Sequence, residues 1–293
     1  MSAGDAPPSR SERIAVIGAG TMGHGIAQVS AMAGYSTTIY DVKSEMLDRA
    51  MDKVRANLDK GVAKGKVSEA LRDGALGNLS TNADLGVAIE GAAVVIEAVP
   101  EIMKLMKGLA AEIGEACGPD TILASNTSSL SLTEIAASSP HPGRVVGMHF
   151  FNPPHILKLL ELVRAEQTTD DTLDRARAVG EAMGRKIITV SDSPGFATSR
   201  LGVVLGLEAM RMLEQGVGTA QDIDTALELG YGHSMGPLKV TDLVGLDVRL
   251  AIAEYLYAEL GGDQYRPPQI LRRMVRAGKL GKKVGEGFYR WDS

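Results

Sequence analysis

The stretch Ile14-Ala15-Val16-Ile17-Gly18-Ala19-Gly20-Thr21-Met22-Gly23 decides the fold. Four apolar residues, the length of a short buried strand, run directly into a G-x-G-x-x-G turn. From His24 to Ala33 the spacing becomes helical, with Ile26, Val29 and Ala33 on one stripe. Gly34 closes that helix, and Ser36-Thr37-Thr38-Ile39-Tyr40 leads as a β-rich run to Asp41. A strand, a glycine turn, a helix and a second strand ending in an acid form the unit that binds a dinucleotide; a FAD-binding version of the unit and a glycine turn that binds nothing are its alternatives. Gly18 makes the tight turn, Gly20 lets a pyrophosphate approach the backbone, and Gly23 lets helix and strand pack closely. The turn from Gly18 through Thr21 and Met22 to Gly23 then presents the phosphates to the positive end of the helix. Asp41 accepts hydrogen bonds from a ribose 2′-OH and repels a 2′-phosphate, which favours NAD over NADP.

Outward from this unit, apolar runs alternate with helical ones. Val94 to Val99, Thr121 to Ala124, Arg144 to Met148, Leu157 to Val163 and Lys186 to Val190 read as strands. The spacing predicts helices after Asp41, opened by Ser44, and over about 102–116 and 171–183, while 68–92 reads as loop-prone. Such alternation implies a parallel sheet covered on both faces. Beyond Ser191-Asp192-Ser193-Pro194-Gly195 the pattern is almost wholly helical. Leu201, Val204, Leu205, Glu208, Met212 and Leu213 trace one helix, and Thr219 with Asp222 opens a shorter one in capping-box fashion. A long helix is expected from Pro237 to about Leu260, and a fourth from Pro268 to Ala277. The fold class is therefore α/β: an N-terminal Rossmann-like doubly wound sheet over 13–194, followed by an all-α C-terminal domain over 195–293. The apolar faces of the second domain exceed what a small bundle buries, which points to a dimer interface.

Composition bounds the rest. The chain has 293 residues with 31 Lys+Arg against 36 Asp+Glu, a net charge of −5, which argues against a nucleic-acid partner. Its one cysteine, Cys117, allows no internal disulfide and suits the cytoplasm. Residues 1–12 are polar and Pro-rich, without the apolar core of a signal peptide, and are expected to be a disordered tail. No apolar run approaches the roughly 18 residues that a membrane span needs.

Two places carry chemistry. Thr121 to Ala124 runs into Ser125-Asn126-Thr127-Ser128-Ser129, five polar residues at the carboxyl end of a strand, where open α/β sheets bind ligands. His149 ends the next strand, and Glu161 lies inside the apolar run that follows. A carboxylate there is costly unless paired. If the two strands are neighbours, Glu161 holds the His149 ring and stabilises its imidazolium form. Lys60, Lys64 and Lys66 fit either a solvated helix end or a clamp for a phosphate-bearing substrate.

Taken together, Gly18 to Gly23, Ser125 to Ser129, His149-Phe150-Phe151-Asn152-Pro153, Asp192 to Phe196, Met235-Gly236-Pro237 and Gly281 to Tyr289 resemble the L-3-hydroxyacyl-CoA dehydrogenase family, over about 13–291. The likeness is strongest to its stand-alone bacterial 3-hydroxybutyryl-CoA dehydrogenases. The resemblance implies NAD-dependent oxidation of an L-3-hydroxyacyl-CoA, or the reverse reduction, by a homodimer. It implies His149 as general acid/base, Glu161 as its orienting partner, and Ser128 as a hydrogen-bond partner of the substrate oxygen. It places Asn126 and Asn152 at the nicotinamide or substrate, Glu101 near the cofactor ribose, and Lys60 and Lys64 at the CoA phosphates. The chain departs from the family at Ser199, where Asn is usual and meets the substrate, at Met106, where Lys is frequent, and at Ser234, where Pro is usual. Two other functions fit the same fold: a dehydrogenase of a free hydroxy acid, and a non-catalytic cofactor-binding protein.

Overall fold

The computed structural model describes residues 10–291, in two compact units that divide after Asp192. The expected tail over 1–12 falls mostly outside the described residues. Within them, Arg10 is tied down: its Nε donates to Ala33 O at 3.0 Å and its guanidinium lies 5.0 Å over the Tyr35 ring.

The first unit is one eight-stranded sheet with helices. Its strands are β1 (Arg13–Ile17), β2 (Ser36–Tyr40), β3 (Leu79–Asn82), β4 (Ala92–Glu97), β5 (Ile122–Ser125), β6 (Val145–Phe150), β7 (Leu159–Arg164) and β8 (Lys186–Ser191), in the order β3-β2-β1-β4-β5-β6-β7-β8. All neighbouring pairs are parallel except β6 and β7, which are antiparallel. The helices are α1 (Gly23–Met32), α2 (Ser44–Ala63), α3 (Glu69–Gly77), α4 (Leu85–Ile89), α5 (Met103–Ala116), α6 (Leu132–Ala136) and α7 (Asp170–Ala182). The chain order reverses between β1 and β4, and a doubly wound sheet opens its ligand crevice at such a point. The strands read as apolar runs because both faces are covered: Ile14, Val16, Val94, Ile96, Val146, Met148, Leu160 and Leu162 all lie in one core with Ile26 and Val29 of α1.

Two expectations for this unit need correction. Ser44 does not cap α2; Lys43 holds the cap position, and its N–H donates to Asp41 Oδ1 at 3.1 Å, so the helix starts one residue early. Residues 68–92 are not loop. Ser68 caps α3 through Leu71 N–H and Asp84 caps α4 through Val87 N–H. These elements have only two apolar side chains to bury apiece, too few for a periodic signal.

The second unit is helical: α8 (Thr198–Glu214), α9 (Ala220–Gly230), α10 (Pro237–Val244), α11 (Leu246–Leu260) and α12 (Gln269–Arg276). Thr219 and Asp222 form the capping box of α9. The single long helix expected from Pro237 is two, parted at Gly245, whose φ of +101° no ordinary residue adopts comfortably. On α8 the packed face is Val203, Leu207 and Met210, whereas Leu201 is 66% exposed and Leu205 45%. Of the expected stripe, Val204, Met212 and Leu213 pack against that core, and Leu201 and Leu205 do not. Two fully buried carboxylates tie the C-terminal stretch to this bundle. Asp242 accepts from Phe288 N–H, Tyr289 N–H and the Trp291 indole at 2.8–2.9 Å. Asp224 accepts from Leu238 N–H, Lys239 N–H and the Tyr289 hydroxyl. No helix among the described residues is long and apolar enough to cross a membrane.

Removing the Asp242 carboxylate strands three donors. Asp242→Ala is expected to cost more than about 3 kcal/mol. Urea unfolding followed by Trp291, the only tryptophan, measures it; a loss below about 1 kcal/mol would show that other acceptors replace the carboxylate.

Candidate active site

The glycine turn between β1 and α1 is shaped by what a side chain would hit. At Gly18, with φ +104°, an added Cβ would lie 2.7 Å from Ala98 O; at Gly23 it would lie 1.7 Å from Gly18 O. At Gly20 it would meet nothing within 4 Å. So Gly18 and Gly23 pack the turn against β4 and against itself, while Gly20 faces open space. Thr21 is exposed at the tip and Met22 occupies the α1 cap position without any side-chain cap. Asp41, at the end of β2, reaches back to this turn: its Oδ2 accepts Ala19 N–H at 2.9 Å. An open face at Gly20, an uncapped helix start and a half-buried carboxylate beside them suit a diphosphate and its ribose.

His149 and Glu161 are opposite one another in the β6–β7 ladder. The imidazole Nδ1 and the Glu161 Oε2 are 2.7 Å apart, with the histidine 6% and the glutamate 0% exposed. β6 runs one residue past the histidine, to Phe150, so His149 is held within the strand rather than standing free at its end. The Asn126 side-chain oxygen accepts Phe150 N–H at 2.9 Å, and the Phe151 ring lies 4.5 Å from the imidazole. Asn152 is exposed, just beyond.

The serine loop is organised by Glu101. Its Oε1 accepts Ser128 N–H at 2.5 Å and the Ser128 hydroxyl at 2.8 Å, and its Oε2 accepts the Ser129 hydroxyl at 3.1 Å. The resemblance puts Glu101 near a ribose; the geometry puts it on Ser128. Sequence reasoning missed Glu97 altogether. This carboxylate, at the end of β4, is 4% exposed and accepts Val99 N–H at 2.8 Å and the Ser125 hydroxyl at 2.7 Å. Burial pushes its pKa up to about 7, partly offset by those two hydrogen bonds. Its signal was the one that singled out Glu161: an acid inside an apolar strand.

Other candidates are placed less closely. Lys60 lies in the last turn of α2 and Lys64 at its C-cap, both exposed. Burial, then the charges of His24 and Lys60, lower the pKa of His155, on the segment after β6. Met106 is core, 1% exposed, and Lys107 next to it pairs with Glu134 at 2.9 Å. Ser199 lies in the first turn of α8 in the second unit, beside Arg200, whose Nε donates to the Tyr265 hydroxyl at 2.7 Å. Nothing in the structure explains Ser234.

Comparison with known proteins decides the family. Residues 13–193 match the 3-hydroxyacyl-CoA dehydrogenase NAD binding domain and residues 195–291 match the C-terminal domain of the same family. This chain belongs to the 3-hydroxyacyl-CoA dehydrogenase family. It is an oxidoreductase with an NAD-binding domain. The 3-hydroxybutyryl-CoA dehydrogenase of Mycobacterium tuberculosis is 41% identical over 280 residues, 95% of this chain and 98% of that protein. A Bacillus subtilis relative described as a probable 3-hydroxybutyryl-CoA dehydrogenase is also 41% identical, over 96% and 98%. The crystal structure of (S)-3-hydroxybutyryl-CoA dehydrogenase from Ralstonia eutropha superposes with a TM-score of 0.92 at 36% identity, covering 96% of this chain and 99% of that one.

The glycine turn makes a contrast that binding and stability separate. Gly20→Ala meets no neighbour, so the dehydrogenase should keep its melting temperature and lose NADH affinity about tenfold, because the methyl occupies the phosphate approach. Gly23→Ala collides with Gly18 O and should unfold the domain at markedly lower temperature. Calorimetry with fluorescence titration of NADH checks both; unchanged affinity in Gly20→Ala would put the phosphates elsewhere.

Proposed function

We propose that this dehydrogenase interconverts a short-chain L-3-hydroxyacyl-CoA, such as 3-hydroxybutyryl-CoA, and its 3-ketoacyl-CoA, with His149 as general acid/base. The observation that carries the assignment is the 2.7 Å His149–Glu161 contact buried in the β6–β7 ladder of an NAD-binding domain. When bound, NAD supplies the hydride acceptor for carbon 3 of the substrate. With Nδ1 on Glu161, the imidazole takes the hydroxyl proton at Nε2 in oxidation and returns it in reduction. Glu161 keeps the ring in that tautomer and steadies the imidazolium that forms. Asn126 sets the angle of β6 through Phe150 N–H. Ser128 turns its one hydroxyl proton from Glu101 to the substrate oxygen when substrate binds, and the exposed Asn152 contacts the substrate or nicotinamide. Ser199 takes the place of the usual asparagine, keeps one hydroxyl donor and reaches less far.

The phosphates of CoA fall to Lys60 and Lys64, which stand exposed at the end of α2. The nicotinamide cofactor falls to Gly18, Gly20, Thr21, Met22 and Gly23, with Asp41 on the ribose. The helical domain, 195–293, serves as the dimerisation and substrate domain. Its exposed Leu201, Leu205, Leu243, Val244 and Val248 support a homodimer through that face. A free thiol at Cys117 accords with work in the cytoplasm.

Acetoacetyl-CoA reduction, followed by NADH absorbance across an acyl-length series, tests the assignment. The expected result is turnover that is highest for short chains, is at least tenfold better with NADH than NADPH, and is absent with free acetoacetate. Well-folded protein that turns over no acyl length would overturn the reading. Equal rates with free acid and thioester would favour a free hydroxy acid as substrate.

A further inference from the structure

Glu97 has no part in the chemistry above, yet it is buried at the point where the sheet reverses. In β4 it is flanked by Ile17, the residue before the glycine turn, and by Ser125, the residue that opens the serine loop. Its backbone joins both sides: Ala98 N–H donates to Ile17 O, and Asn126 N–H donates to Glu97 O, each at 2.8 Å. Its side chain uses one oxygen for each side, Oε1 accepting Val99 N–H at 2.8 Å next to the glycine turn and Oε2 facing the serine loop. Ser125 donates its only hydroxyl proton to Glu97 Oε2 at 2.7 Å, which leaves the Ser125 oxygen to accept Thr127 N–H at 3.3 Å. Thr127 Oγ1 in turn accepts Ser129 N–H and Leu130 N–H at 3.4 and 3.1 Å. The loop bearing Ser128 is therefore held from below through Ser125 and from above by Glu101.

We propose that Glu97 is a positioning residue of this dehydrogenase: its ionised carboxylate sets the direction of the Ser125 hydrogen bond and so fixes the loop that carries Ser128. The proposal rests on the assignment of Ser128 to the substrate oxygen. Protonation reverses the arrangement. A neutral Glu97 offers its own proton to Ser125 Oγ, the Ser125 proton turns away, and it competes with Thr127 N–H for the space around that oxygen. The change falls in the working range, because burial pushes the Glu97 pKa up to about 7. Glu101 is the charged neighbour and raises that value, whereas the groups from α5, α6 and β6 that line the space beside Glu97 are apolar: Met106, Ala110, Ile113, Ile135 and Val145.

The test compares Glu97→Gln with wild type at pH 6 and pH 8.5, as a ratio, so that titration of His149 cancels. Gln mimics the neutral acid. At pH 6 the two should agree within about twofold in kcat for acetoacetyl-CoA reduction; at pH 8.5 the variant should fall about tenfold, with NADH affinity unchanged. Hydrogen–deuterium exchange of the 125–129 segment reads the loop without substrate, and its protection ratio should fall over the same interval. A kcat ratio that is flat with pH, or exchange that does not follow it, overturns the proposal. Exchange that follows pH while no acyl-CoA turns over leaves the loop assignment standing and rejects the substrate reading alone. Ser125→Ala gives an independent check, including the case in which Glu97→Gln does not fold. Its kcat ratio to wild type should also fall between pH 6 and 8.5, and a flat ratio contradicts the proposal.

Discussion

A carboxylate with no exposure, opposite a histidine in an antiparallel ladder, is the constraint on which the site depends. Glu161 is too costly to bury alone, and an imidazole without a partner has no fixed tautomer or orientation. Each resolves the other's problem, and the reversal of strand direction between β6 and β7 is what brings them level. A parallel neighbour reached through a crossover helix would separate such residues widely along the chain; here a short connection places them 12 apart. The sheet departs from parallel order at the strand pair that holds the histidine.

Around that pair the sheet edge works as a series of backbone couplings. The glycine turn leans on β4 through Ala98, the acid at the end of β2 returns to the turn through Ala19 N–H, and the serine loop hangs from two glutamates. Little of this uses long side chains. Most contacts pair a short hydroxyl or a carboxylate with a main-chain N–H, which restricts motion at low entropic cost. The helical unit adds to its apolar core two buried acids: Asp224 gathers donors from the start of α10 and Tyr289, and Asp242 gathers them from the C-terminal stretch.

Much of this was legible in the chain. The glycine turn announces its own packing because Gly18 and Gly23 stand where no Cβ fits, and Glu161 announces a partner because it interrupts an apolar strand. Glu97 carried the same signal and went unread, since its partners are a serine and a backbone N–H, which leave no pattern of their own. The small elements between α2 and β4 have too few apolar residues for periodicity, though Ser68 and Asp84 mark their starts. Gly245 splits a helix whose apolar spacing continues through the break. On α8 apolar residues reach beyond the packed face, and only packing decides that Val203, Leu207 and Met210 go inside while Leu201 stays out.

The claim that most needs measuring is that the imidazole at 149 moves the proton and does nothing else. His149→Gln should bind NADH within about twofold of wild type and reduce acetoacetyl-CoA about 10²–10⁴ times more slowly. An unchanged rate, or a loss of rate matched by a loss of NADH binding, would contradict the account.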